Sequence, residues 1–407
     1  MPQPSSKEPP VPEDLPRTED SSEKSPLRLS PRQRIAALEE ASDEPDEPTT
    51  GTIKTQLTAL STSISIPLYP ATALTFGTKI AAGGFGSVGN GTITLADSAP
   101  LQVAIKIVRA ASPDEVTAFI DEARASWLAG GPGRENTADE DNSDSTICAT
   151  LGISYDYTPT STRMLLIMEK LDVHGDLHDV IHTDDNWEQD PTRIRPRTYA
   201  CTDSDGDYML YTMPRVDKIS FATQIARGLR ELRVGGIVHN DIKPGNVLVM
   251  RKRGGEDGDK EQGGEEEPKK KKRKKETEKK AKPAPARCRI RFIDFGVGGT
   301  PDTIEGYAAG TDGYMAPEVA DYGDCTFKSD IFSAGVCILE VWMGQIFPDV
   351  RANETVLARD RVECLRRLNV SEPAVAELLR RCLSADADKR PSAKTLQTEL
   401  VKIRKAG

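Results

Sequence analysis

An α+β fold of two lobes is predicted by three observations on this 407-residue sequence. Short β-branched runs separated by glycine fill its front, apolar residues at helical spacing fill its back, and the length allows two or three ordinary domains or one large two-lobed domain with attachments. In chain order, the first 50 residues hold ten of the 28 prolines, among Ser, Glu and Asp. Such a stretch buries too little apolar area to offset its ordering entropy, so residues 1–66 read as a disordered tail. The texture changes from Leu68. Leu74 to Ile80, Gly91 to Leu95 and Val103 to Val108 predict strands of a small antiparallel sheet. Asp114 to Leu128 predicts a helix, because Val116, Phe119, Ile120, Ala123 and Trp127 recur at helical spacing behind a Ser-Pro-Asp start. A strand over Arg163 to Glu169 precedes helices over Lys218 to Leu232, Ile331 to Met343, Glu372 to Leu383 and Ala393 to Lys405. Polar insertions are expected at 130–145 and 183–213, and a charged one at 251–287. This last is polarised, net −3 over 251–267 and net +9 over 268–287.

The global composition excludes several classes. A net charge of −10, from 54 basic and 64 acidic residues, disfavours a nucleic-acid partner bound through a global basic field. The start, Met-Pro-Gln-Pro-Ser-Ser-Lys-Glu, has no apolar h-region, and no run of ~18 apolar residues occurs, so an intracellular chain without membrane contact is expected. Seven cysteines (148, 201, 288, 325, 337, 364 and 382), odd in number and without a Cys-x-x-Cys pair, read as reduced thiols.

Chemistry concentrates in five ordered motifs. Ile80, Ala81, Ala82, Gly83, Gly84, Phe85, Gly86, Ser87 and Val88 join two strands; glycine backbone there can approach a polyphosphate, its N–H groups turned to the charge. Val103-Ala104-Ile105-Lys106 puts a lysine inside an apolar strand, where it costs desolvation unless paired, and Glu122 on the following helix is the candidate partner. The loop Ile237 to Leu248 carries Asp241, Lys243 and Asn246. Beyond the charged insertion, Ile290 to Gly296 is a strand ending in Asp294, and Ala316-Pro317-Glu318 follows.

This series resembles the eukaryotic protein kinase family: Gly-rich loop, Val-Ala-Ile-Lys, a catalytic loop of the His-Arg-Asp type, Asp-Phe-Gly, Ala-Pro-Glu. The likeness covers roughly residues 70 to 405. It implies a bilobal kinase domain at 67–405, with an N-lobe of about 67–168 and a C-lobe of about 172–405. By the family's template, Lys106, held by Glu122, grips the α and β phosphates of ATP under the backbone from Gly83 to Gly86; Asp294 and Asn246 hold Mg²⁺. Asp241 accepts the proton of the substrate hydroxyl, and Lys243 steadies the γ-phosphate. The resemblance seats adenine between Ile80, Val88 and Ala104 above and Leu248 below, with Met168 behind and the backbone from Glu169 to Leu171 hydrogen-bonding it. It further implies a bond from Thr311 to Asp241 and Lys243, an ion pair between Arg390 and Glu318, and Asp330 at the start of a buried large-lobe helix. The lysine of Asp241-Ile-Lys-Pro and the stretch Gly310 to Glu318 are similar to serine/threonine kinases, so protein Ser/Thr hydroxyls are the expected substrates. A scaffold using the same fold without transfer is the alternative, and the complete set Lys106, Glu122, Asp241, Asn246 and Asp294 argues against it.

Three positions depart from the family pattern. Ala81 replaces the first loop glycine, with modestly weaker nucleotide binding as the expected cost. Asn240 stands where most relatives carry arginine, a non-RD loop, and a neutral amide cannot pair with an activation-loop phosphate, so activity independent of that phosphorylation is expected. Ser126, four residues after Glu122, replaces an apolar residue and is expected to loosen the packing that holds Glu122 inward. Outside the resemblance, Lys269 to Lys275 looks like a nuclear import signal, with an import receptor as partner and a location that is cytoplasmic, nuclear or both. A plain solvated charge loop, or contact with RNA or anionic lipid, remains open for the same run. His174, His178 and His182 recur every four residues but read as surface histidines.

Overall fold

Thr49 is the first residue that the computed structural model describes. The structure describes residues 49–83, 86–95, 98–131, 145–158, 161–181, 213–251, 288–304, 306, 308–344 and 354–406. Residues 1–48, the bodies of the three insertions and the run Lys269 to Lys275 lie outside them.

Helix α1 (Thr50–Ile64) is capped by the Thr49 hydroxyl, which accepts the Thr52 N–H, and ends at Ser65 in the left-handed region. Here the expected tail is corrected over its last part: residues 50–64, read as disordered, form a helix packed into the small lobe. Thr and Ser are weak helix formers, so α1 rests on tertiary burial of Ile53, Leu57 and Leu60, spaced four and three residues apart. A window dominated by the preceding prolines hides that spacing. It was nevertheless present as Ile53, Leu57, Leu60 and Ile64 behind a threonine cap.

Strands β1 (Leu74–Gly83), β2 (Gly86–Ile93) and β3 (Leu101–Arg109) precede helix α2 (Pro113–Gly130), and β4 (Thr150–Thr158) and β5 (Ser161–Glu169) complete the small lobe. The antiparallel sheet runs β1-β2-β3-β5-β4. Alternation along β3 sends Val103 and Ile105 into one apolar layer, with Leu165 and Ile167, and leaves Ala104 and Lys106 on the other face. That other face packs α2 and α1 in a second layer including Ile153, Met164 and Leu166. A capping box starts α2: the Ser112 hydroxyl accepts the Glu115 N–H, and the Glu115 carboxylate accepts the Ser112 N–H.

In the large lobe, β6 (Val173–Asp176) and α3 (Leu177–Ile181) precede α4 (Arg215–Val234), and β7 (Val247–Arg251) and β8 (Cys288–Phe292) flank the charged insertion. These strands pair as β6-β7-β8. Then come α5 (Pro301–Ile304), α6 (Pro317–Tyr322), α7 (Phe327–Met343), α8 (Glu354–Ser371), α9 (Pro373–Cys382) and α10 (Ala393–Ala406). Every residue from Ser329 to Trp342 is buried, making α7 a central helix with α4, α9 and α10 around it. The two lobes join through β8, whose Phe292 exchanges backbone bonds with Thr146 and Cys148, and through α2, whose Ala125 and Ala129 enter the large-lobe core. The result is the expected α+β arrangement of a sheet-rich lobe on a helical one.

Candidate active site

Lys106 sits mid-sheet on β3, paired with Val88 and Leu166, and its ammonium meets Glu122 of α2 and, at 3.3 Å, Asp294 Oδ1. Burial disfavours the Lys106 charge, but Glu122 and Asp294 together outweigh it and raise its pKa, so it is a cation at neutral pH. Burial also acts against an ionised Asp294. There Lys106, and less strongly His239 and the Gly296 N–H, win and hold the carboxyl below its ordinary value. Lys106 thus stands between two carboxylates, and at Glu122 burial raises the carboxyl although Lys106 pulls the other way.

The catalytic-loop segment is braced from beneath. Asp330, at the start of α7, accepts the backbone N–H groups of His239 (2.8 Å) and Asn240 (3.0 Å). Burial pushes its carboxyl up to about 6, although His239 and the two N–H bonds pull the other way. His239 Nε2 reaches the Ile293 carbonyl at 3.1 Å, tying the loop to the residue before Asp294. Among the described residues only Ser65, Asn240 and Asp294 are non-glycines with positive φ, and two of the three are here. Such backbone persists where the surroundings over-determine it; Asp330 does so for Asn240.

Asp241 is the hub. Its Oδ2 accepts from Lys243 Nζ at 2.8 Å and from Asn246 Nδ2 at 2.9 Å, and its Oδ1 accepts the Thr311 hydroxyl at 2.6 Å. Lys243 Nζ also donates to Thr311 Oγ1 at 2.7 Å. Gly310 permits this approach: its φ is +135°, and a Cβ there would lie 2.7 Å from the Asn240 carbonyl. Asn246 spends its amide N–H groups on Asp241, which turns Oδ1 into its acceptor. That oxygen and the Asp294 carboxylate are the hard donors a divalent cation such as Mg²⁺ takes.

In the glycine-rich turn, Ala81 pairs with Val88, Ala82 with Ser87 and Gly83 with Gly86, while Gly84 and Phe85 lie outside the described residues. Ala81 is a strand residue without positive φ, so the backbone reason for a weaker loop falls away. The demanding glycine is Gly86, at φ +128°, where a Cβ would meet the Ile107 carbonyl at 2.3 Å. Ile80 is half exposed, and Val88, Ala104, Met168, Leu171 and Leu248 are partly buried. Glu169 is committed more than expected. Its N–H donates to the Ala149 carbonyl, and its carboxylate accepts from the Ala149 N–H (2.8 Å) and Arg291 (3.4 Å), so the N–H is unavailable to a base.

Elsewhere, Arg390 forms a two-pronged pair with Glu318 at 2.5 and 2.7 Å. Ser126 reverses its expectation: its hydroxyl bonds Thr150 of β4 at 2.5 Å, both groups buried, and α2 is held with Glu122 inward. Sequence reasoning missed this because only the tertiary fold reveals the polar partner of a lone serine. His178 lies with Asp176 and Asp179, their donor atoms within 4.8 Å of one another, whereas His182 is outside the described residues. Asp176 there accepts the Asp179 N–H at 2.8 Å.

The model of the protein tyrosine and serine/threonine kinase family matches residues 74–400, and the chain belongs to that family. Curated relatives agree at low identity. A receptor-like kinase TMK4 of Arabidopsis thaliana is 28% identical over 181 residues, 42% of this chain and 15% of the relative. Mitogen-activated protein kinase kinase 10 of the same plant is 30% identical over 132 residues, 31% of this chain and 32% of the relative. A fibroblast growth factor receptor of Halocynthia roretzi is 26% identical over 196 residues, 46% of this chain and 21% of the relative. The matched region thus spans under a third of each relative's length. Among the described residues no helix is long and apolar enough to cross a membrane.

Proposed function

We propose that this chain is a serine/threonine protein kinase that transfers the γ-phosphate of ATP to hydroxyls of protein substrates. The observation that carries the proposal is the arrangement of Asp241, whose carboxylate is oriented by Lys243, Asn246 and Thr311. Phosphoryl transfer asks the protein for positioning and charge neutralisation more than for covalent chemistry. In this reading Asp241 orients the substrate hydroxyl and takes its proton as the oxygen bonds to the γ-phosphorus and the bond to the β–γ bridging oxygen breaks. Lys243 steadies the transferred group, and Lys106, fixed by Glu122, holds the α and β phosphates. Asp294 and Asn246 hold Mg²⁺, which when bound neutralises charge on the phosphates. The apolar surfaces of Ile80, Val88, Ala104, Met168, Leu171 and Leu248 enclose adenine. Lys243 bridging Asp241 and Thr311 supports the Ser/Thr choice, since that lysine is the feature by which the loop is similar to serine/threonine kinases.

Turnover of Mg-ATP with Ser, Thr and Tyr peptides is the test. Asp241→Asn is expected to lower kcat by about 10²- to 10⁴-fold, with transfer confined to Ser and Thr peptides. Equal rates in both proteins end the assignment of Asp241, nucleotide binding without any transfer points to a scaffold, and tyrosine labelling overturns the substrate class. We further propose nuclear import through Lys269 to Lys275. A reporter fusion whose distribution is the same with and without that run refutes it.

A further inference from the structure

Helix α2 carries Glu122, so whatever holds α2 sets whether Lys106 is paired. We infer that residues 49–66 are a positioning element for phosphoryl transfer, a helix supplied in cis that clamps α2 with Glu122 turned toward Lys106. The inference rests on the kinase reading above and adds a part that lies outside the family match, which begins at residue 74.

The clamp has three attachments. Ile53, Leu57 and Leu60 of α1, at most 2% exposed, enter one apolar cluster with Val116, Phe119 and Ala123 of α2. Trp127, on the same α2 face, donates its indole N–H to the Ile64 carbonyl at 2.9 Å. The far end of α1 is fastened to the sheet by a hydroxyl contact of 3.2 Å between Thr50 and Thr162. Glu122 immediately precedes Ala123 and so points ~100° round the helix from that face, toward the cleft. Rotation or withdrawal of α2 therefore has to expose the α1 cluster as it carries Glu122 away.

Two further observations make this more than a covering for the lobe. Met168, at the back of the proposed adenine pocket, packs against the same cluster, so α1, α2 and the nucleotide site share one apolar layer. On the adjacent side, the contact between α2 and β4 includes the Ser126–Thr150 hydroxyl pair, which gives direction but less apolar adhesion than a buried aliphatic pair. Helix α1 adds apolar contact on the neighbouring face of α2, where Val116, Phe119 and Ala123 lie.

The test uses the full chain carrying Ile53→Ala with Leu57→Ala, and separately Trp127→Phe, which keeps a ring and removes only the N–H donated to Ile64. Each is made in the unsubstituted chain and in Glu122→Gln. With a Ser/Thr peptide and Mg-ATP, kcat is expected to fall about 10- to 100-fold for the double alanine and about threefold for Trp127→Phe, while the ATP Kd moves by less than about threefold. In Glu122→Gln the same changes are expected to cost less than about twofold, because α1 acts through Glu122. Equal losses in both backgrounds, the mark of a general structural role, overturn the proposal, as does no loss in the unsubstituted chain. Hydrogen exchange of the α2 amides reads the clamp without turnover: faster exchange in the double alanine is expected, and unchanged exchange overturns the proposal. If the unsubstituted chain transfers no phosphate, the kinase reading fails alone, and the exchange result still decides whether α1 holds α2.

Discussion

Asp330 shows at the residue scale how burial and function are traded. It is 2% exposed and holds two backbone N–H groups of the catalytic-loop segment, yet burial raises its carboxyl from 3.8 to about 6. The folded state therefore binds its proton more tightly than the unfolded chain. This contribution to stability is fully present below about 3.8 and is lost as pH rises through about 6, a change on the order of 3 kcal/mol. The unfolding free energy of the protein minus that of Asp330→Asn is expected to fall between pH 4 and pH 6, measured by urea titration; a difference independent of pH contradicts it. Asn240, beside it, directs its amide to the Val297 carbonyl at 3.4 Å and has no positive charge to offer a phosphate. Activity is accordingly expected to stay within about twofold after phosphatase treatment. An inert dephosphorylated protein restored by phosphate on Thr303 or Thr311 would disprove this.

Among the elements, α2 gathers the most information, and its contacts are of different kinds. The apolar face toward α1 is non-directional, whereas the Ser126–Thr150 bond is specific and fully buried on the Thr150 side. Ser126→Ala leaves the Thr150 hydroxyl without this partner and is expected to cost about 1–3 kcal/mol in urea unfolding, while Ser126→Ala with Thr150→Val recovers most of it. A double variant no more stable than the single one would show that the pair is not the source. Most elements of the two lobes were legible before any coordinates, because β3 alternates and α2 repeats its apolar residues at helical spacing. The same signals do not pick out strands β4, β6 and β7 or helices α3, α5, α6 and α8. In α8, Cys364, Leu365 and Leu368 are buried within a run that carries seven charged residues, and the charges mask the stripe. Helix α1 was misread for the related reason that composition averages over a window, whereas burial of Ile53, Leu57 and Leu60 depends on α2, more than 50 residues later.

On the scale of the whole molecule, the carboxyl-terminal region is locked to α6 by Arg390, which pairs with Glu318. Its fully buried guanidinium is shared between Glu318, the Ser384 and Lys328 carbonyls and the Phe332 ring. Removing one partner of such a pair strands the other, so Arg390→Ala is expected to cost about 3–5 kcal/mol, and Arg390→Lys to recover only part, lacking the two-pronged geometry. Urea unfolding measures both, and a loss below about 1 kcal/mol for the alanine would show the pair to be dispensable. By itself, the sequence determined the two-lobed α+β class and the family, because five short motifs in order are set by local chemistry that each segment carries with it. It also marked Lys106, Asp241, Asn246 and Asp294 as the residues to watch. Only the tertiary structure decided that Ser126 has a hydroxyl partner, that the Glu169 N–H is already taken, and that residues 50–64 form a helix packed on α2. Each is a contact between segments distant in the chain, and neither composition nor periodicity encodes which distant group satisfies a buried donor or covers an apolar face.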